Sequence, residues 1–229
     1  MPNWLKTVLG TLGAVLGGGL TLYVLISNNS CFNSSTSIQS AAPSPPTTPH
    51  APQSNGPWES FTTSGEDENG NRAEFLIEVL AQEDRWKLNE VDQLESGRLE
   101  SVLPPYLEKL DKLDKAEGVI VVGTASQEGG LTSEEGRADR RADQLLKLVK
   151  PISGVKKIYK LNLGQHSMDQ ASDTSDTSYQ RRVIIMGIMK KDPGMDVRDI
   201  RAALLNALSK ESKYSFDAVK YSKFVFEEV

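Results

Sequence analysis

Cysteine is almost missing from this chain. Cys31 is the only one in 229 residues, so no intrachain disulfide can form and no cysteine-based zinc cluster can assemble. Histidine is nearly as scarce. His50 and His166 lie far apart in different kinds of sequence, which argues against a metal site. There is no basic surplus either: 26 Lys and Arg face 31 Asp and Glu, for a net charge of -5. A chain of that balance cannot bind nucleic acid by neutralising phosphates. No G-x-S-x-G, glycine-rich phosphate loop or Cys/His pair occurs, so the chain is not read as an enzyme and no cofactor is expected. Carboxylates are plentiful, but nothing singles out a glycosidase pair among them.

What is present begins at the N-terminus. "TVLGTLGAVLGGGLTLYVLI", residues 7 to 26, is uncharged, mostly apolar and about long enough to cross a bilayer as a helix. Trp4 and Tyr23 lie near its ends, where amphipathic rings favour the membrane interface. Lys6 precedes it, and no Lys or Arg follows until Arg72. That asymmetry predicts a single-pass inner-membrane anchor over 1–27, with the N-terminus inside and the rest in the periplasm. A cleaved signal peptide is the competing reading, although "SNNSC" offers no small-x-small cleavage site. Gly13 and Gly17 form a GxxxG through which two such helices can dimerise. The residues before Cys31 do not resemble a lipobox, leaving it a free thiol.

Residues 28–57 are rich in Ser, Thr, Asn and Pro and poor in large apolar side chains. Such a stretch cannot build a core and is expected as a disordered tether. Folded sequence is expected from Trp58. "AEFLIEVL" (73–80) follows the turn signal Asn69-Gly70 and reads as a strand, with a helix as the alternative. Leu103, Leu107, Leu110 and Leu113 mark an amphipathic helix whose first turn holds Pro104 and Pro105. "VIVVG" (119–123) suits a strand buried on both faces.

A charged helix comes next, capped by Thr132 or Ser133, with Ala138, Ala142, Leu145, Leu146 and Val149 on its inner face and Pro151 past its end. Strands are expected at 155–164 and 181–189, separated by a polar loop, with a further helix at 196–209. That order predicts an α+β sandwich with helices packed on one side of a mixed sheet.

One cluster of positions resembles a known family. Gly123-Thr124-Ala125-Ser126, then Gly129, then Arg141-Ala142-Asp143-Gln144-Leu145, then Leu163-Gly164 and finally Gln180-Arg181-Arg182-Val183 follow one another in matching order and spacing. Together they look like the OmpA-like peptidoglycan-binding domain, found at the C-terminus of outer-membrane proteins and in flagellar stators. The match covers 117–190 within a domain of 58–190, leaving 191–229 as a C-terminal extension with a helix. The resemblance implies an OmpA-like βαβαβ sandwich and a site for the diaminopimelate of a peptidoglycan stem peptide. In the family an Asp meets the ligand's ammonium, and the Arg of Arg-Ala meets its carboxylate.

That Arg aligns with Arg141. Ser126 stands where the Asp belongs, Glu134 where Asn is common and Arg137 where Leu is usual. The implied ligand-binding set is therefore Thr124, Ser126, Arg141, Arg181 and Arg182, with Glu128 as a substitute carboxylate.

Simpler readings exist for each feature. Arg137 and Arg140 suit a solvated helix face, with Glu134 and Arg137 paired at i,i+3 and Asp143 and Lys147 at i,i+4. Asp169, Asp173 and Asp176 lack the spacing, glycine turn and closing Glu of a calcium loop. An ion-driven stator would need an ionisable residue in its membrane helix, and residues 7–26 hold none. Two functions remain. One is a membrane-anchored envelope protein that tethers to peptidoglycan. The other keeps the fold without the ligand and binds envelope proteins as an assembly module, a reading that Ser126 favours.

Overall fold

Alternation along the central strands decides how the sheet is covered. In β3 (Arg72–Leu80), Phe75, Ile77 and Val79 point to one face while Leu76 and Leu80 point to the other, and all five are buried. β6 (Gly118–Ala125) is buried at every position. Strands of this kind need an apolar layer on both sides.

The computed structural model describes residues 53–55, 57–81, 84–152, 157–167, 177–210 and 217–229. The expected anchor over 7–26, its Gly13/Gly17 pair, Cys31, His50, the tether up to residue 52 and the carboxylates Asp169, Asp173 and Asp176 lie outside them. Among the described residues no helix is long and apolar enough to cross a membrane.

The described part is an α+β fold around a mixed seven-stranded sheet. In chain order the strands are β1 (Gln53–Asn55), β2 (Trp58–Glu66), β3, a two-residue pair β4 (Gln93–Leu94) and β5 (Gly97–Arg98), β6, β7 (Ile158–Gln165), β8 (Ile184–Lys191) and β9 (Val225–Glu228). The large sheet runs β1-β2-β3-β8-β6-β7-β9. Every neighbouring pair is antiparallel except β6 and β7, which are parallel and joined by α3 (Leu131–Val149).

Helices lie on both faces of this sheet, not on one as the sequence suggested. Ile200, Ala203, Leu204 and Ala207 of α4 (Val197–Lys210) pack on the face that carries Phe75, Ile77, Ile120, Val122, Ile184 and Met186. The opposite face carries Val119, Val121, Val183 and Ile185, and is covered by Leu145 of α3 with Leu103, Leu107, Leu110 and Leu113. The reason is local. The segment after residue 190 supplies the second layer, so it belongs to the core rather than extending from it. β9 completes the sheet by pairing with β7, and Phe226 stacks on Tyr159 with ring centres 5.1 Å apart. At the other end β1 pairs Gln53 with Ser60, so folded structure begins before Trp58.

The leucine stripe is buried as expected, but it is not one helix. It breaks into α1 (Leu99–Val102), α2 (Pro104–Leu107) and a 3-10 turn at Leu113–Lys115. Adjacent Pro104 and Pro105 have no N–H to give the carbonyls of Glu100 and Ser101, so the ladder cannot pass through them. α3 starts one residue earlier than the expected caps, with Gly130 as its N-cap and no side-chain cap bond.

Two glycines set how closely the helices approach. A Cβ at Gly123 in β6 would overlap the Ala138 carbonyl of α3, and one at Gly65 in β2 would overlap the Ala203 carbonyl of α4. Missing side chains here let helix backbone rest directly on strand backbone. Ion pairs then tie one edge. Lys160 of β7 reaches Asp139 (3.3 Å) and Asp143 (3.1 Å) of α3 and Glu227 (3.0 Å) of β9. Burial alone would lower the pKa of this ammonium, but the three carboxylates raise it. Asp143 thus pairs across to β7 instead of with Lys147.

Glu78 is the one buried carboxylate inside β3, and it accepts a hydrogen bond from the Ser60 hydroxyl. Burial pushes its pKa above the ordinary 4.5, although Ser60 and Lys112 both favour the ionised form. The folded value exceeds the unfolded one, so the associated stability is complete below the unfolded pKa and is lost as pH rises through the raised value. Glu78→Gln should therefore be more stable than the parent at about pH 7 and closer to it at about pH 4. Urea melts at the two pH values check this, and a difference independent of pH would contradict it.

Candidate functional site

The expected site residues gather at the end of the sheet where β6 and β7 finish and β8 begins. Thr124 and Ser126 are both buried on the way out of β6. The Thr124 hydroxyl donates to the Arg182 carbonyl at 3.1 Å, which stitches the end of β6 to the segment entering β8. Arg141 faces this corner because it lies on the buried side of α3 with Ala138, Ala142 and Leu145.

Arg141 is fully enclosed, with no exposed surface. Its Nη1 donates to the Thr124 carbonyl, its Nε to that of Glu90 and its Nη2 to that of Lys87, each at 2.9 Å. The guanidinium also lies over the Trp86 ring, 5.3 Å from its centre. Burial pushes its pKa down to about 9, with repulsion from Arg137 and Arg181 adding to the fall and Glu134 and Glu128 opposing it. It stays charged at neutral pH.

The covering strap, residues 85–95, was not foreseen from the sequence. Trp86 is fully buried, and its backbone N–H donates to the Arg181 carbonyl at 2.9 Å. The Lys87 N–H donates to Gln93 at 2.9 Å, closing the strap on itself, and Asn89 adopts a positive φ of 64° at its tip. Arg181 anchors it from below: Nη1 donates to the Trp86 carbonyl at 2.6 Å and reaches Glu95 at 3.2 Å. A lone Trp inside "EDRWKLNE" was the only available signal. Nothing in residue type announces that two backbone carbonyls will meet an arginine fifty residues later.

The remaining expectations divide. Arg182 is buried, and its Nε and Nη1 have no hydrogen-bond partner. Burial lowers its pKa, with Arg85 adding to the fall and Glu59 and Tyr221 opposing it. Glu128 is exposed and does not turn inward as a substitute carboxylate. Glu134 is buried and paired with Arg137 as the i,i+3 spacing indicated, while its Oε2 has no partner. His166 is buried at the end of β7 and meets Tyr179 and Tyr221 edge-on, with ring centres 5.7 and 5.0 Å apart. Among the described residues no three metal-ligating side chains come together.

Chemically, the corner is a closed electrostatic clamp. The structure bonds Arg141 to Thr124 and ties Arg181 to the same strap, whose carbonyls take the remaining guanidinium donors of Arg141. Removing the guanidinium takes the donor from three carbonyls, each costing about 1–3 kcal/mol where it is left unsatisfied. Arg141→Ala should therefore destabilise the fold by roughly 3–5 kcal/mol in urea melts, and Arg141→Lys should recover only part of the loss. An Arg141→Ala protein as stable as its parent would show that the clamp is not structural. Compared with family models, with curated proteins and with solved structures, the chain gives no match.

Proposed function

We propose that the chain is a membrane-anchored envelope protein whose OmpA-like domain acts as a protein-interaction or assembly module and does not grip peptidoglycan. The envelope reading rests on the sequence. An uncharged apolar stretch precedes a Ser/Thr/Pro-rich tether, and the Gly-Thr, Arg-Ala and Arg-Arg-Val positions resemble the family. The succession β6, α3, β7, a long loop and β8 supports the same likeness.

One observation carries the choice of module over wall binder. The donors of Arg141, which in the family would hold a stem-peptide carboxylate, are bonded to the carbonyls of Lys87 and Glu90. Ser126 offers no charge for the ammonium, and its side chain is buried. Both halves of the ligand clamp are thus missing, one by substitution and one by internal occupation. A fold retained without its ligand remains useful as a rigid body held on a tether of about thirty residues, which extends at most ~100 Å.

The full chain mixed with purified diaminopimelate-type sacculi should stay in the supernatant after centrifugation. Saturable retention that free diaminopimelate competes away would overturn the module reading and restore the tether to peptidoglycan. Localisation is checked separately. A reporter active only outside the cytoplasm, fused after Val229, should be active, and a cytoplasmic result would remove the envelope reading altogether.

A further inference from the structure

We propose that the outer edge of β9 takes up an extended, basic segment of a partner protein as an added strand. The proposal deepens the module reading and rests on it, naming the surface used and the chemistry of the partner.

The backbone leaves this edge open. β9 is the last strand of the large sheet, and no other strand among the described residues pairs with its outer side. The Val229 N–H donates to the Ile158 carbonyl at 3.0 Å. Backbone groups alternate sides along an antiparallel strand, so Val225 and Glu227 face β7 as well. Phe226 and Glu228 therefore turn their N–H and C=O groups outward. The preceding residue of that set is already engaged, since Arg201 of α4 donates to the Phe224 carbonyl at 3.3 Å. Phe226 and Glu228 thus offer donors and acceptors in strand geometry, which is the footing for an added strand.

Side chains select the partner. Val225, Glu227 and Val229 alternate onto the face that carries α3. Val225 is 49% exposed and Val229 52%, although both are apolar. Between them the Glu227 carboxylate reaches Lys160 at 3.0 Å, and that ammonium is shared with Asp139 and Asp143 of α3. Lys147 donates to Gln144 and adds no cation to this group. Three partly exposed acids on one lysine leave negative charge beside the edge. A strand whose same-face residues run apolar, basic, apolar covers both valines and answers that charge. A second copy fits worse, because it would bring its own Glu227 and Glu228 to an acidic edge.

Amide hydrogen exchange in the full chain reads the edge directly. Without a partner, the Phe226 and Glu228 amides should exchange about tenfold or more faster than those of Val225 and Glu227, which β7 holds. The probe is the acetylated, amidated peptide Val-Thr-Lys-Thr-Val at millimolar concentration, with Val-Thr-Glu-Thr-Val as its control. The lysine peptide should slow exchange at Phe226 and Glu228 saturably and bind roughly tenfold tighter than the glutamate one. Added salt should weaken it. Glu228→Pro removes one outward N–H and spares the ladder to β7, a change that edge strands tolerate, so it should melt near the parent and lose the response.

Slow Phe226 and Glu228 amides in the free chain overturn the proposal, because the edge would then already be covered. So does a lysine peptide that leaves these amides unprotected or binds no better than the glutamate one. A folded Glu228→Pro that keeps the response overturns it too, and if that variant fails to fold, the parent's exchange pattern decides alone. Should the probe fail while sacculi stay in the supernatant, this surface is wrong and the module reading stands. Sacculi retained with the probe still bound at β9 would do the reverse.

Discussion

A single buried cation organises the functional end of this domain. Arg141 lies on the buried face of α3 with Glu134, Ala138, Ala142, Leu145 and Val149, and it has no exposed surface. A charge in that position persists only if acceptors surround it. The end of β6 supplies one carbonyl and the strap supplies two. The position of α3 follows from the same requirement. Gly123 lets the Ala138 backbone settle onto β6, which brings Arg141 to the height of the Thr124 carbonyl. Had Gly123 carried a side chain, helix and strand would stand apart and the guanidinium would lose its first partner. Gly123 thus admits the helix backbone against the strand.

The rest of the sheet keeps that corner in place. β6 is buried along its full length and β8 from Ile184 to Ile188, so their register depends on having both helical layers present. α4 and β9, which come last in the chain, are therefore needed by strands formed earlier. Lys160 secures the outer edge by joining α3, β7 and β9 through three carboxylates. Each of those acids is nearly half exposed, so their individual contributions are small. Their shared, largely buried lysine makes them a network instead of three separate surface pairs.

The sequence made the periodic elements legible. The alternation in 73–80, the apolar run after Glu117 and the 3.6-residue spacing of Ala138, Ala142, Leu145 and Val149 each state a local preference that packing did not override. The leucines from 103 to 113 were legible as core but not as one helix, because two prolines outweigh a hydrophobic stripe. The second helical layer was hidden for a different reason. A sheet with both faces apolar demands two covers, but the demand does not say which segment will meet it. The strap was least visible of all. Its essential groups are the carbonyls of Lys87 and Glu90, and every residue has a carbonyl. Arg141 is legible in the sequence, but residue type points an arginine toward carboxylates, and its partners are carbonyls.

Exchanging those partners changes the charge of the whole corner. An arginine facing an aspartate and a ligand carboxylate sits in a neutralised site. At this corner Ser126 is a buried neutral hydroxyl, and the Arg141 guanidinium meets carbonyl dipoles. Dipoles solvate a cation without cancelling its charge, so burial first, and then repulsion from Arg137 and Arg181, brings the pKa of Arg141 down to about 9. Arg181 is partly balanced by Glu95, and Arg137 by Glu134. Arg182 has no ion-pair partner among the described residues; burial lowers its pKa, and Glu59 and Tyr221 oppose that fall while Arg85 adds to it.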